Sequence, residues 1–241
     1  MKGISTFGRA YAVFLAMLSL LFFPLVAGEI AGMFRYPFDP AGAFAWISVH
    51  HIVQALFFIV FMVVISTLIP VDWRLKVGDF RRGVRYVNRF TRYFLLYTAL
   101  GFIYVVASGT FRPFAYPLTA TNILGQLGFQ LLLSGPSEEL LFRSFGIGLV
   151  IYFFPQRIFK GRLSIANLLL AVVFALAHVS IWTNPFSITY DPIQLIYAFV
   201  LGLIYGDCFE KTGSVWAPMA LHSISNFIAV GTTIVVTALL R

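Results

Sequence analysis

The chain has 241 residues, of which 60% are hydrophobic and only 11% are charged. A soluble domain carries roughly a quarter charged residues, so this composition excludes an ordinary soluble protein. The formal net charge is +8, but the basic residues lie between long apolar runs, where such residues set topology and contact anionic lipid head groups. We therefore expect membrane lipid, and no nucleic acid, as a partner.

Apolar runs long enough to cross a bilayer recur along the whole chain. A transmembrane helix needs about 20 predominantly apolar residues. Candidate spans lie near 10–28, 43–70, 93–110, 121–154, 163–183, 192–210 and 214–238. The sequence therefore predicts an all-α, polytopic transmembrane helix bundle of about seven or eight spans. Gly135-Pro136 lies inside the fourth run and predicts a break there, because proline removes a helix hydrogen bond.

The distribution of Lys and Arg predicts the orientation of the helices. Residues 1–120 are read as N-terminal transmembrane helices with a basic loop at 71–92. Positive residues are enriched in cytoplasmic segments, so we expect this loop and the N-terminus to be cytoplasmic. The first run is longer than the core of a cleaved signal peptide, about 7–15 residues, so we expect a retained span in a multi-pass protein of the cell membrane.

Ionisable side chains inside three of the late runs indicate a functional site, because such groups are costly in a membrane. The fourth run carries Glu138, Glu139 and Arg143, the fifth carries Phe174 and His178, and the seventh carries His222 and Asn226. Helix positions four apart share a face, so the spacing predicts an internal ion pair between Glu139 and Arg143, with Glu138 pointing elsewhere. His50 and His51 open the second run, and we expect them at the membrane interface.

These residue types suit the hydrolysis of an amide. A glutamate near a histidine can take a proton from water, and a histidine and an asparagine that project together can donate hydrogen bonds to an oxyanion. Each residue alone also has a structural explanation, since an intramembrane His or Asn often bonds to a neighbouring helix. The combination of all of them favours a catalytic site.

The three segments resemble the CAAX prenyl protease and bacteriocin-processing family of intramembrane endopeptidases. The motifs are Glu138-Glu139-x-x-x-Arg143, Phe174-x-x-x-His178 and His222-x-x-x-Asn226, within roughly 130–230. The resemblance implies that residues 121–241 form a catalytic helix bundle with a conical intramembrane cavity, in which Glu138, assisted by His178, activates water. It implies that His222 and Asn226 form an oxyanion hole, with Glu139, Arg143 and Phe174 in support. The substrate would be a membrane-associated peptide or protein, with prenylated CAAX tails as one class.

Three alternatives remain open at this point. Glu138, His178 and His222 could instead ligate zinc in an intramembrane metallopeptidase. We favour a metal-free mechanism without a cofactor, because the amide of Asn226 suits an oxyanion hole better than a zinc shell. The same polar residues could also serve a proton-coupled carrier, or persist in an inactive membrane scaffold.

Overall fold

A computed structural model describes residues 5–183 and 186–241. Within them, the helical segments are α1 (Thr6–Gly32), α2 (Ala45–Leu68), α3 (Phe80–Ala107), α4 (120–153), α5 (Ile165–Leu176), α6 (Pro192–Thr212) and α7 (Trp216–Leu239). Two small antiparallel pairs join Arg157–Ile158 (β1) to Leu163–Ser164 (β2) and Ser180–Thr183 (β3) to Phe186–Thr189 (β4).

The all-α polytopic class is confirmed. Among the described residues, five helices are long and apolar enough to cross a membrane, namely α1, α2, α3, α6 and α7. The helices pack around two apolar clusters. The larger is built mainly from α1, α2, α4 and α5, with a few residues of α6 and α7, and the smaller lies among α3, α6 and α7. Many large apolar side chains on the outside are exposed, as expected for a surface that contacts lipid.

The predicted break at Gly135-Pro136 is not a break, because α4 stays helical from 120 to 153. Two stretches, Gln130–Ser134 and Leu140–Ile147, are π-helical, and the short α-helical turn Gly135–Glu139 lies between them. The wider π turn before Pro136 accommodates a residue that lacks the N–H of a regular α turn. The turn that carries the two glutamates is therefore framed by irregular helix on both sides.

Two predicted boundaries are wrong. The basic segment 71–92 is not a loop throughout, because α3 begins at Phe80, where the Asp79 carboxylate accepts a hydrogen bond from the N–H of Arg82. Asp and Asn at this position favour a helix start. The fifth run also does not continue as helix to 183, because α5 ends at Leu176 and the chain turns into β3.

Glycine at position 135 lets α4 and α7 approach closely. A Cβ atom built at Gly135 would lie 2.7 Å from the backbone N of Ser223 and 2.9 Å from the carbonyl O of Met219. A side chain of any size would force the two helices apart. This contact places the glutamate turn of α4 beside the histidine of α7, although the two lie at different depths in the spans predicted from sequence.

Candidate active site

A cavity of about 320 Å³ lies among α2, α4, α5, α6 and α7. Its lining includes all the residues predicted from sequence to be catalytic, namely Glu138, His178, His222 and Asn226. Phe174 also lines it, whereas Glu139 and Arg143 lie behind the wall, fully buried. The structure thus brings together side chains from three sequence motifs that are far apart in the chain.

Glu138 is the carboxylate that faces the cavity. Its side chain is 20% exposed, whereas that of its neighbour Glu139 is 0% exposed. Two imidazoles flank Glu138, with Nε2 of His51 lying 3.9 Å from Oε1 and Nε2 of His222 lying 3.9 Å from Oε2. These separations are too long for direct hydrogen bonds, and a water molecule could bridge either one.

Glu139 binds two partners on the buried side of α4. Its Oε2 lies 3.1 Å from Nε of Arg143, which matches the ion pair predicted from sequence. Arg143 also donates to the carbonyl of Gly202 at 3.1 Å, and its guanidinium lies over the ring of Phe174 at 4.8 Å. A buried charge that lost this pairing would be strongly unfavourable, so the pair holds α4 in place.

The second partner of Glu139 is His222, whose Nδ1 lies 2.9 Å from Oε1. A carboxylate paired with arginine can only accept a hydrogen bond, so Nδ1 of His222 must carry the proton. This leaves Nε2 directed toward Glu138. The ring of His222 also stacks on Tyr205 at a centroid distance of 4.9 Å, which fixes its plane.

His178 lies just beyond the end of α5, in the turn that precedes β3. Its Nδ1 lies 2.8 Å from the carbonyl O of Phe174, and the two rings meet edge to face at 5.1 Å. The two side chains therefore pack together, although the helix itself stops earlier. Since a carbonyl only accepts, Nδ1 donates and Nε2 remains for the cavity.

Asn226 lies on the cavity face of α7, one turn after His222. Its Nδ2 donates to Oγ of Ser134 at 2.9 Å, which orients the amide. The amide nitrogen carries two hydrogens, and this bond uses one of them. The other can serve a group bound in the cavity.

Sequence reasoning missed His51, which was expected at the membrane interface. The structure instead buries it at 6% exposure, with Nδ1 2.6 Å from Oγ of Ser137 and 3.0 Å from Nε2 of Gln54. One signal could have found it. Gln54 lies three residues further along an otherwise apolar helix and shares the face of His51, so a polar partner was to be expected there.

The zinc alternative requires Glu138, His178 and His222 to converge on one point. Among residues 5–183 and 186–241, no group of three or more His, Cys, Asp or Glu side chains is spaced to hold a metal ion. In this arrangement the three side chains are not spaced to hold one ion between them.

One family model matches part of the chain. Residues 120–228 match the model for type II CAAX prenyl endopeptidases, Rce1-like. The match begins at the first residue of α4 and ends within α7, so it contains all three motifs and leaves α1 to α3 outside. No match was found among curated proteins or among solved structures.

Proposed function

We propose that this chain is an integral membrane peptidase that hydrolyses its substrate with water activated by Glu138, because residues 120–228 match the family model of type II CAAX prenyl endopeptidases, Rce1-like. The proposal rests on one observation. Glu138 is the half-buried carboxylate that faces the cavity, whereas the charge of Glu139 is paired with Arg143. A carboxylate without a tight cation partner can accept a proton from water.

The reaction proceeds through proton transfers among the cavity residues. Glu138 removes a proton from a water molecule that Nε2 of His178 orients by accepting its other hydrogen. The water oxygen bonds to the carbonyl carbon of the scissile peptide, and the electron pair moves onto the carbonyl oxygen. The C–N bond then breaks, and Glu138 returns the proton to the departing nitrogen.

The developing oxyanion needs donors. Asn226 supplies the N–H that its bond to Ser134 leaves unused. His222 can donate from Nε2 only when both ring nitrogens are protonated, and the Glu139 carboxylate at Nδ1 compensates that positive charge. Donors aimed at the oxyanion in a site that excludes bulk water are worth about 100-fold or more in rate each.

An apolar groove beside the catalytic cavity supports the proposal that the substrate is prenylated. It has a volume of about 430 Å³ between α3 and α6, and its lining is aromatic and aliphatic. Tyr197 and Leu201 line both this groove and the catalytic cavity, so the two are adjacent. We propose that the isoprenoid of the substrate lies in the groove while the peptide reaches Glu138.

The test is a proteolysis assay on the purified protein with a farnesylated CAAX peptide and an unmodified transmembrane peptide. Glu138→Gln keeps the shape but removes the base, so we expect cleavage to fall by about 100-fold or more. The matched control is Glu29→Gln, which changes an exposed glutamate of α1 and should cleave normally. Melting temperatures of both variants verify that they fold.

A metal chelator separates the mechanisms. Cleavage that survives the chelator and is lost in Glu138→Gln supports the proposal. Cleavage that is lost to the chelator and restored by zinc indicates a metallopeptidase, and equal cleavage by Glu138→Gln and wild type refutes the proposed role of Glu138. The carrier alternative predicts pH-dependent flux that survives Asn226→Ala, which the same preparations can test in vesicles.

A further inference from the structure

We propose that His51 of α2 is a positioning residue that holds Glu138 by donating from Nε2, with Gln54 and Ser137 fixing its tautomer. This inference rests on the proposed function of Glu138. His51 lies outside the segment that matches the family model, so neither the match nor the motifs assign it a role.

His51 is buried on the cavity side of α2, where its ring meets that of Phe129 edge to face at a centroid distance of 4.9 Å. Its Nε2 lies 3.9 Å from Oε1 of Glu138, which is the same distance as that from His222 to the other carboxylate oxygen. His51 and His222 therefore flank the carboxylate from opposite oxygens.

The neighbours of His51 determine which of its ring nitrogens carries the proton. Nε2 of Gln54 lies 3.0 Å from Nδ1 of His51 and 3.0 Å from Oγ of Ser137. An amide nitrogen only donates, so Nδ1 must accept. The hydroxyl of Ser137, 2.6 Å from the same Nδ1, can accept from Gln54 and donate to His51. The ring proton is thereby directed to Nε2, which points at Glu138.

His51 differs from the other two imidazoles of the site in the position of its ring proton. Nδ1 of His222 donates to Glu139 and Nδ1 of His178 donates to a carbonyl, so the protons of these two neutral rings lie on Nδ1. Only His51, among these three, offers an N–H to the Glu138 carboxylate in its neutral form. It holds Oε1 through one water molecule, and leaves Oε2 to take the proton from the attacking water.

The tautomer can be read without any activity. The chain has 4 histidines, so protein labelled with ¹⁵N-histidine in detergent gives a spectrum simple enough to assign. The His51→Gln spectrum identifies the His51 signals by their loss. We expect the proton of His51 on Nε2, and a proton on Nδ1 of both His178 and His222. An Nδ1–H tautomer at His51 would overturn the inference.

Kinetics test the positioning itself. His51→Leu should lower kcat about 100-fold, which is the effect of misplacing a reacting group by about 1 Å, with little change in KM. His51→Gln keeps an N–H donor at a similar reach and should recover part of this loss. Wild-type kcat in His51→Leu refutes the role of His51, whereas full activity in Glu138→Gln refutes the proposed function instead. If His51→Leu fails to fold, the tautomer measurement and His51→Gln still decide.

Discussion

The contact at Gly135 predicts that a single methyl group will disturb the active site. In Gly135→Ala the new carbon would lie 2.5 Å from Oγ of Ser223, 2.7 Å from its backbone N and 2.9 Å from the carbonyl O of Met219. The hydroxyl can rotate away, but the two backbone atoms cannot. An ordinary contact distance is about 3.5 Å, so α4 and α7 must separate by about 0.8 Å.

The free energy of unfolding and the rate of cleavage should respond differently to this separation of α4 and α7. Overpacking costs about 1–3 kcal/mol, and the better helix propensity of alanine offsets about 1 kcal/mol of it. We therefore expect a loss of only about 0–2 kcal/mol in stability. A displacement near 1 Å between Glu138 and the donors on α7 should lower kcat/KM by about 100-fold.

The control is Gly128→Ala in the same helical segment, where a Cβ meets nothing within 4 Å. The proteolysis assay and a thermal melt in detergent compare the two variants. We expect Gly128→Ala to match or slightly exceed wild type in melting temperature and to cleave normally. If Gly135→Ala cleaves as well as Gly128→Ala, the close approach of the helices does not set the geometry of the site.

Three further predictions concern the ion pair, the groove and a loop. Arg143→Met leaves a buried carboxylate unpaired and should cost about 3–5 kcal/mol, whereas Lys211→Met, in an exposed pair of the same spacing, should cost at most about 1 kcal/mol in denaturation experiments. Val200→Trp fills the apolar groove and should slow cleavage of a farnesylated peptide but not of an unmodified one. Val235→Trp, at an exposed position, is the control. Equal slowing of both peptides would contradict the assignment of the groove to the isoprenoid. Asp39 lies in the loop between α1 and α2. Burial raises the pKa of Asp39, but hydrogen bonds from three backbone N–H groups lower it more, so the pKa lies below its ordinary value of 3.8. The stability that Asp39 contributes is therefore present above 3.8 and lost as pH falls through the lower folded value, and Asp39→Asn should remove this acid dependence from the melting temperature.

The positions of the helices follow from the sequence because an apolar run of spanning length has few alternatives in lipid. The pairing of Glu139 with Arg143 was also predictable, since both lie on one helix face. The π-helical turns of α4 and the early end of α5 were not. They depend on how Pro136 and the segment after Leu176 are accommodated by neighbouring elements, which no periodicity reveals.

The relative depth of the helices was the main thing that the sequence could not provide. Span limits alone place Glu138 and His222 at different levels, and the contact at Gly135 brings them together. His51 was misjudged for a related reason. Its partner Ser137 is 86 residues away along the chain, so its burial depends on packing between α2 and α4 rather than on its position within an apolar run.

The hydrogen bonds from α2 to Ser137 show that the candidate site extends beyond the segment that matches the family model. The segment 120–228 carries every recognisable motif, yet one wall of the cavity belongs to a helix that lies outside it. A chimaera that joined this segment to the N-terminal helices of another membrane protein would keep all three signatures and lose that wall. The boundaries of the matched segment are therefore not the boundaries within which this cavity could be transplanted.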